Sequence, residues 1–100
     1  MQYQLVLQFP AKLINLDSLV KIEDDFVEII KDGEVDGHDI GSEEVNFFIL
    51  TNEPDNVFKS LKQYLIEEEL LNCLKAAYRP IDGEKFVILY PSSLKKFNVQ

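Results

Sequence analysis

Apolar and polar residues alternate along the first segment of the chain and then change to a helical spacing. From Tyr3 to Phe9 an apolar residue occupies every second position, which is the period of a strand with one buried face. Pro10 ends this strand. Apolar residues then recur at intervals of three and four from Leu19 to Ile30, which predicts a helix that begins near Asp17 and stops at Asp32-Gly33, where glycine can take a left-handed cap. The candidate N-terminal caps are Asn15, Asp17 and Ser18.

The middle of the chain predicts two strands followed by a second helix. Residues Glu34 to Ile40 read as a short acidic strand, and a turn at residues 41–43 leads to Val45 to Thr51. The latter segment is β-branched and aromatic enough to be a central strand that is apolar on both faces. Pro54 suits the first position of a helix, which we expect to end near Glu68 or Glu69. A helix continuing to residue 78 would be roughly 37 Å long and would overhang the strands.

The remaining residues predict a hairpin and a tail. Leu74 to Arg79 and Lys85 to Tyr90 flank Asp82-Gly83, a dipeptide that favours tight turns with positive φ. Pro91 closes the last strand, and the tail from about residue 92 is expected to be loosely held. We therefore predict a hairpin after Glu69 rather than a longer second helix.

The order of these elements predicts an α+β fold. Strand, helix, strand, strand, helix, strand, strand is the ferredoxin-like split βαβ sandwich with its last strand doubled, in which an antiparallel sheet carries two helices on one face. One domain spanning residues 1–100 suits the length. Because the strands carry apolar residues at both odd and even positions, some of these residues must lie on the other face of the sheet. We therefore expect a homodimer or partner on that face, or a cover made by the tail or final hairpin. The candidate apolar residues are Val6, Phe48, Leu50, Val87 and Leu89.

Charge is concentrated in one third of the chain. The net charge is −8, and residues 17–44 hold eleven of the eighteen acids but only two of the ten bases, a net of −9 that leaves +1 for the remainder. Nucleic acids and anionic membrane surfaces need a cationic face, so neither is expected as a partner. No apolar run approaches the roughly 20 residues of a membrane span. A single Cys73 and a start without signal-peptide character predict a reduced, cytoplasmic protein.

The segment from Asp32 to Glu44 concentrates acids, glycines and the only histidine. Asp32, Glu34, Asp36 and Glu43 fall on the first, third, fifth and twelfth places of a calcium-binding EF-hand loop. The eighth place should be apolar but is Asp39, a strand follows instead of an exit helix, and no second loop exists to pair with it. An EF-hand is therefore not expected, and no metal ligand is assigned. A loose cation site is the alternative, and the acids that would take part in any binding here include Glu44.

His38 invites an acid-base or ligand-binding interpretation. On a regular strand Asp36 and His38 would lie on one face, whereas His38 and Asp39 would point to opposite faces. Two ligands are too few for zinc. A polar hairpin, in which Gly37 supplies a bulge and Gly41 a turn, is the favoured interpretation, and general-base chemistry by His38 is the minority one.

Few other residues suggest chemistry. Cys73 lies in an apolar run and is expected to act as a small buried side chain. Tyr78 and Arg79 could bind a carboxylate from the acidic segment or a ligand, although a surface ion pair is the simpler alternative. The chain has no phosphate-binding glycine loop, nucleophile elbow or CxxC motif. An enzyme is therefore disfavoured, and no cofactor is expected.

Two resemblances accompany these patterns. Val35 to Gly41, Asn46 to Ile49, Thr51 to Pro54, Ala77 to Arg79 and Asp82 to Glu84 together resemble a family of small uncharacterised bacterial proteins. That resemblance spans roughly residues 30–91 and implies no activity. A second resemblance, based on size and acidity, is to small immunity proteins that neutralise basic toxins.

The sequence thus favours a non-enzymatic acidic binding protein that meets a basic protein partner, such as a toxin or nuclease domain. The rival hypothesis is a small-molecule or cation-binding domain, with enzymatic activity as an option, centred on Asp36, His38 and Asp39. The two hypotheses differ in salt dependence, because a basic partner would be held by many acids and a ligand by one or two residues.

Overall fold

Five strands form one antiparallel sheet in the computed structural model, which describes residues 1–99. The sheet order is β2-β3-β1-β4-β5, and every neighbouring pair is antiparallel. The elements in chain order are β1 (Tyr3–Pro10), α1 (Leu16–Ile29), β2 (Gly33–Ile40), β3 (Glu44–Thr51), α2 (Pro54–Glu67), β4 (Lys75–Pro80) and β5 (Val87–Tyr90), with single 3-10 turns at Ala11–Leu13 and Leu71–Cys73.

This order confirms the α+β class and the antiparallel sheet. Strands β2, β3, β1 and β4 with the two helices have the split βαβ arrangement, and β5 extends it beside β4. Both helices pack on one face, where Leu5, Leu7 and Phe9 of β1 contribute to the main core. Phe26 of α1 packs edge-on against Phe47 of β3, with ring centroids 5.3 Å apart. The helix-covered face therefore holds the larger hydrophobic cluster.

Helix α1 begins where one of the candidate caps predicts. The Asn15 side chain accepts a hydrogen bond of 2.8 Å from the backbone N–H of Ser18, which satisfies one free donor of the first turn. The C-terminal prediction is wrong, because Ile30 leaves the helix in extended backbone and Gly33 starts β2 without positive φ. Glycine is needed at position 33 for a different reason, since a Cβ there would lie 2.9 Å from the carbonyl oxygen of Leu50.

The chain after α2 forms a hairpin, as predicted. Helix α2 ends at Glu67. Residues Ala76 to Tyr78 of β4 then pair with residues Tyr90 to Val87 of β5. The prediction of a tight turn at Asp82-Gly83 is wrong, because residues 81–86 separate the strands and Gly83 has no positive φ. Instead, the N–H of Gly83 donates to the carbonyl oxygen of Pro80 over 2.9 Å.

The helix-free face is partly covered by the C-terminal tail. Phe97 is buried against Val6 and Ala77, and its ring lies 4.9 Å from that of Phe86 between centroids. The Gln8 side chain also donates to the carbonyl oxygen of Asn98 over 2.9 Å. The tail is therefore packed rather than loosely held, because its aromatic side chain finds an apolar face that the helices leave open. This cover is the alternative to the homodimer that the sequence left open.

Candidate functional site: the acidic edge

Strand β2 lies at one edge of the sheet, and α1 packs beside it. These two elements, the residues between them and the turn after β2 carry the acids of residues 17–43, and Glu44 begins β3; together we call these acids the acidic edge. Because an edge strand has one unpaired row of backbone groups, charged side chains along it also oppose strand-to-strand aggregation. The acidic edge consists of Asp17, Glu23, Asp24, Asp25, Glu28, Asp32, Glu34, Asp36, Asp39, Glu43 and Glu44.

Most of the predicted binding acids are accessible. Asp32, Glu34, Asp36, Asp39 and Glu43 are exposed. Glu44 is half-buried, since it begins β3 opposite Pro10. The carboxylates therefore form a solvated surface, on which attraction to a partner is long-ranged and sensitive to salt.

A β-bulge at Gly37 changes which side chains share a face. Val35 pairs with Ile49 and His38 pairs with Phe47, so two residues of β2 oppose Phe48 alone. Gly37 has a φ of 111°, a conformation that is strained for other residues. The bulge and the turn at Gly41, whose N–H donates to the carbonyl oxygen of Glu44, confirm the predicted glycine roles.

The bulge overturns the expected grouping of Asp36 with His38. Because it inserts an extra residue between them, the period-two relation on which that expectation rested does not hold. His38 takes the helix-covered face, and Asp39, opposite Asn46, takes the helix-free face. The three residues at the centre of the rival hypothesis therefore do not converge through the strand.

His38 contacts the first helix instead. Its Nδ1 lies 2.9 Å from Oε2 of Glu23, and the two side chains are 34% and 24% exposed. This contact joins β2 to α1 across the helix-covered face. No local pattern predicted this contact, because the two residues are 15 positions apart on different elements.

A second polar cluster joins the two helices. Asp25 Oδ2 accepts hydrogen bonds from the Tyr64 hydroxyl at 2.6 Å and from Lys21 Nζ at 2.9 Å, and Lys21 also contacts Glu68 Oε1 at 3.0 Å. The Lys21 ammonium lies 5.7 Å from the centroid of the Tyr64 ring, within the range of a cation–π contact. One of the two bases in residues 17–44 is therefore already engaged by carboxylates.

The pKa values in this cluster shift as its contacts require. Hydrogen bonds from Tyr64 and then Lys21 lower the pKa of Asp25 below its ordinary value. Burial, followed by the hydrogen bond to Asp25, raises the pKa of Tyr64, and the hydrogen bonds to Asp25 and Glu68 raise that of Lys21. The cluster thus holds an ionised Asp25, a neutral Tyr64 and a charged Lys21 over a wide pH range.

Tyr78 and Arg79 do not form a joint site. Tyr78 pairs with Leu5 on the helix-covered face, where its ring is edge-on to Tyr3 at 5.3 Å and burial raises its pKa. Arg79 pairs with Gln4 on the opposite face. Its Nη1 donates to the carbonyl oxygens of Pro80, Ile81 and Gly83 at 3.0–3.2 Å, so the guanidinium supports the β4–β5 loop.

Cys73 is half-buried, and its Sγ lies 3.2 Å from the carbonyl oxygen of Leu70. Burial raises the pKa of this thiol, so the nucleophilic thiolate is disfavoured. The contact is consistent with a packing role.

The acids do not gather into a metal-binding arrangement. Across residues 1–99, no three histidine, cysteine or carboxylate side chains lie close enough together to hold a metal ion. The EF-hand places from Gly33 to Ile40 form strand β2, and strand β3 follows directly. An extended strand does not provide the wrapped loop of an EF-hand.

No helix in the part of the chain that the structure describes is long and apolar enough to cross a membrane. Comparison with known protein families, with curated proteins and with solved structures found no match to this chain. The resemblances to a small bacterial family and to acidic immunity proteins therefore stay predictions.

Proposed function

We propose that this chain is a non-enzymatic binding protein whose acidic edge meets a basic protein partner. The observation that carries the proposal is the placement of the acids on two adjacent elements, α1 and the edge strand β2. A cationic partner would meet a broad negative surface that accelerates encounter and sets orientation. Immunity and inhibitor proteins that neutralise basic toxins would use such a surface.

The internal ion pairing supports this proposal. Lys21 is held by Asp25 and Glu68, which leaves Lys31 as the other base among residues 17–44. Exposed carboxylates at positions 32, 34, 36, 39 and 43 have no salt bridge to a base within residues 1–99. A partner that supplied lysine or arginine side chains would pair with charges that are otherwise solvated.

The proposal includes a reduced, cytoplasmic setting and does not require self-association. The tail already lies on the helix-free face, so the apolar surface that suggested a homodimer is partly covered. The acidic edge lies along another part of the sheet, at β2. Partner binding there would leave the tail in place.

The test compares two variants of equal net charge. In one, Asp32, Asp36, Asp39 and Glu43 are changed to their amides, and in the other Asp55, Glu67, Glu69 and Asp82 are changed in the same way. All eight side chains are exposed, and each variant has a net charge of −4 instead of −8. The bait is the tagged protein in extract of the source cell, and captured proteins are identified by mass and isoelectric point.

We expect the wild type and the second variant to retain one basic protein that the acidic-edge variant loses. Its affinity should fall steeply as salt rises, because exposed charges are screened beyond about 8 Å at physiological ionic strength. Equal loss in both variants would show that net charge alone is responsible and would contradict the proposal. So would a captured partner whose binding does not depend on salt.

A further inference from the structure

A groove runs along the helix-free face between the sheet, the β4–β5 loop and the C-terminal tail. We call it the tail groove. Its volume is about 470 Å³, which lies within the range of roughly 300–1,000 Å³ for small-molecule sites. The residues that carry the argument are Gln4, Phe48, Arg79, Glu84, Phe86 and Phe97.

Arg79 is oriented before any ligand arrives. Three backbone carbonyl oxygens of the β4–β5 loop lie within 3.0–3.2 Å of its Nη1. Its Nη2 and Nε have no hydrogen-bond partner within residues 1–99. Because a guanidinium presents paired N–H groups to a carboxylate, a side chain fixed through one nitrogen can bind such a group with little loss of entropy.

Glu84 adds a negative charge to the same groove. It lies in the β4–β5 loop that Arg79 supports, yet the two side chains form no salt bridge. Glu84 would repel a ligand that carries only a carboxylate, and Arg79 would repel a ligand that carries only an ammonium group. A zwitterion satisfies both charges at once.

The rest of the groove is aromatic. Phe48 belongs to β3, Phe86 precedes β5, and Phe97 comes from the tail. The rings of Phe86 and Phe97 are 4.9 Å apart between centroids and inclined by 59°. These rings provide an apolar wall next to a pair of opposite charges.

We propose that the tail groove binds a zwitterionic α-amino acid with an apolar side chain. Arg79 binds the carboxylate, Glu84 binds the ammonium group, and the aromatic wall contacts the side chain. This site lies on the helix-free face and is independent of the acidic edge, so its failure would not affect the proposed function.

The test uses L-phenylalanine and L-leucine with the full-length protein, followed by isothermal titration calorimetry and two-dimensional NMR. We expect saturable one-to-one binding, with shifted signals at Arg79, Glu84 and Phe97. N-acetyl-phenylalanine lacks the ammonium group and phenylalanine amide lacks the carboxylate. Each should bind at least roughly tenfold more weakly, because each leaves one charged group of the groove without its hydrogen bond.

Glu84→Gln and Lys85→Gln form a matched pair of variants, since both residues are exposed neighbours and only Glu84 lines the groove. Glu84→Gln should weaken binding of L-phenylalanine about tenfold and leave binding of N-acetyl-phenylalanine unchanged or stronger. Lys85→Gln should bind like the wild type. Circular dichroism confirms that both variants are folded.

Three results would overturn the proposal. The first is the absence of saturable binding of either amino acid to the wild type up to about 10 mM. The second is equal affinity for the blocked derivatives, and the third is equal affinity of Glu84→Gln and Lys85→Gln for L-phenylalanine.

Discussion

Asp25 shows how one residue of the acidic edge serves the fold. Its carboxylate accepts from Tyr64 on α2 and from Lys21 one turn earlier on α1. The side chain is 30% exposed, so solvent weakens these interactions without removing them. Asp25 therefore fixes the position of α1 against α2, whereas the exposed acids around it remain available to a partner.

The first prediction concerns the change Tyr64→Phe, which removes one donor to Asp25. We expect the free energy of unfolding to fall by about 1 kcal/mol near neutral pH, since a hydrogen bond to a partly exposed charge is lost. A lowered folded-state pKa stabilises the protein above the unfolded value of about 3.9, and this stabilisation is lost as pH falls through the folded value. The variant should therefore lose less stability on acidification.

Urea unfolding of both proteins between about pH 2 and pH 7 measures this difference. The same substitution in an Asp25→Asn background provides the control, because its effect there should be smaller and less dependent on pH. Identical pH profiles for wild type and Tyr64→Phe would contradict the contact between Tyr64 and Asp25.

At the scale of elements, strand β2 depends on its bulge. Gly37 allows two residues to oppose Phe48, and this shift places His38 on the helix-covered face next to Glu23. The same shift places Asp39 on the helix-free face. The hydrophobic pattern of β2 is weak, so the bulge rather than burial determines which side chains point toward α1.

The second prediction is that Gly37→Ala destabilises the protein by about 1–2 kcal/mol. Apart from Gly37 itself and its two chain neighbours, no atom of residues 1–99 lies within 4 Å of the Cβ that alanine would add, so the cost comes from the backbone, whose φ is 111°. Ser42→Ala in the following turn is the control, and we expect it to change stability by less than about 0.5 kcal/mol. Thermal and urea unfolding measure both variants, and a Gly37→Ala variant as stable as wild type would show that the bulge is absent.

At the scale of the whole molecule, the sheet separates two unequal hydrophobic clusters. The helices cover the larger one, and the tail covers Val6 and Ala77 on the opposite face. Phe97 is 8% exposed, so most of its surface is removed from water. The tail thus covers part of the face on which the sequence had predicted either a second copy of the chain or a cover of this kind.

The third prediction is that Phe97→Ala makes the protein self-associate. Loss of this ring should lower the free energy of unfolding by about 2 kcal/mol or more and expose apolar surface on the helix-free face. We expect sedimentation to show a monomer for wild type and a concentration-dependent dimer for the variant. Lys96→Ala, which removes the exposed neighbouring side chain, is the control and should remain monomeric.

A wild type that dimerises through its helix-free face would contradict this interpretation. So would a Phe97→Ala variant that stays monomeric and as stable as wild type. Amide exchange of the β1 and β4 residues beneath the tail would separate these outcomes from a general loss of folding.

The class of the fold and the order of its elements could be predicted from the sequence alone. Alternation from Tyr3 to Phe9 and the three-and-four spacing in α1 are local signals, because each reflects one element with one buried face. Asn15 and Pro54 marked helix starts for the same reason, since capping depends on residues within one turn. The concentration of acids in residues 17–44 was also visible without a structure.

The contacts between these residues depend on the tertiary fold. The bulge separated His38 from Asp36, the fold brought Glu23 to His38 and Asp25 to Tyr64, and the sheet placed Tyr78 and Arg79 on opposite faces. These contacts and side-chain orientations either join residues that are distant in sequence or depend on a change of strand register. Hydrophobic periodicity within one element specifies neither of them. The tail illustrates the same limit, because a segment after the last strand was expected to be loosely held, whereas Phe97 packs on an apolar face that only the folded sheet presents.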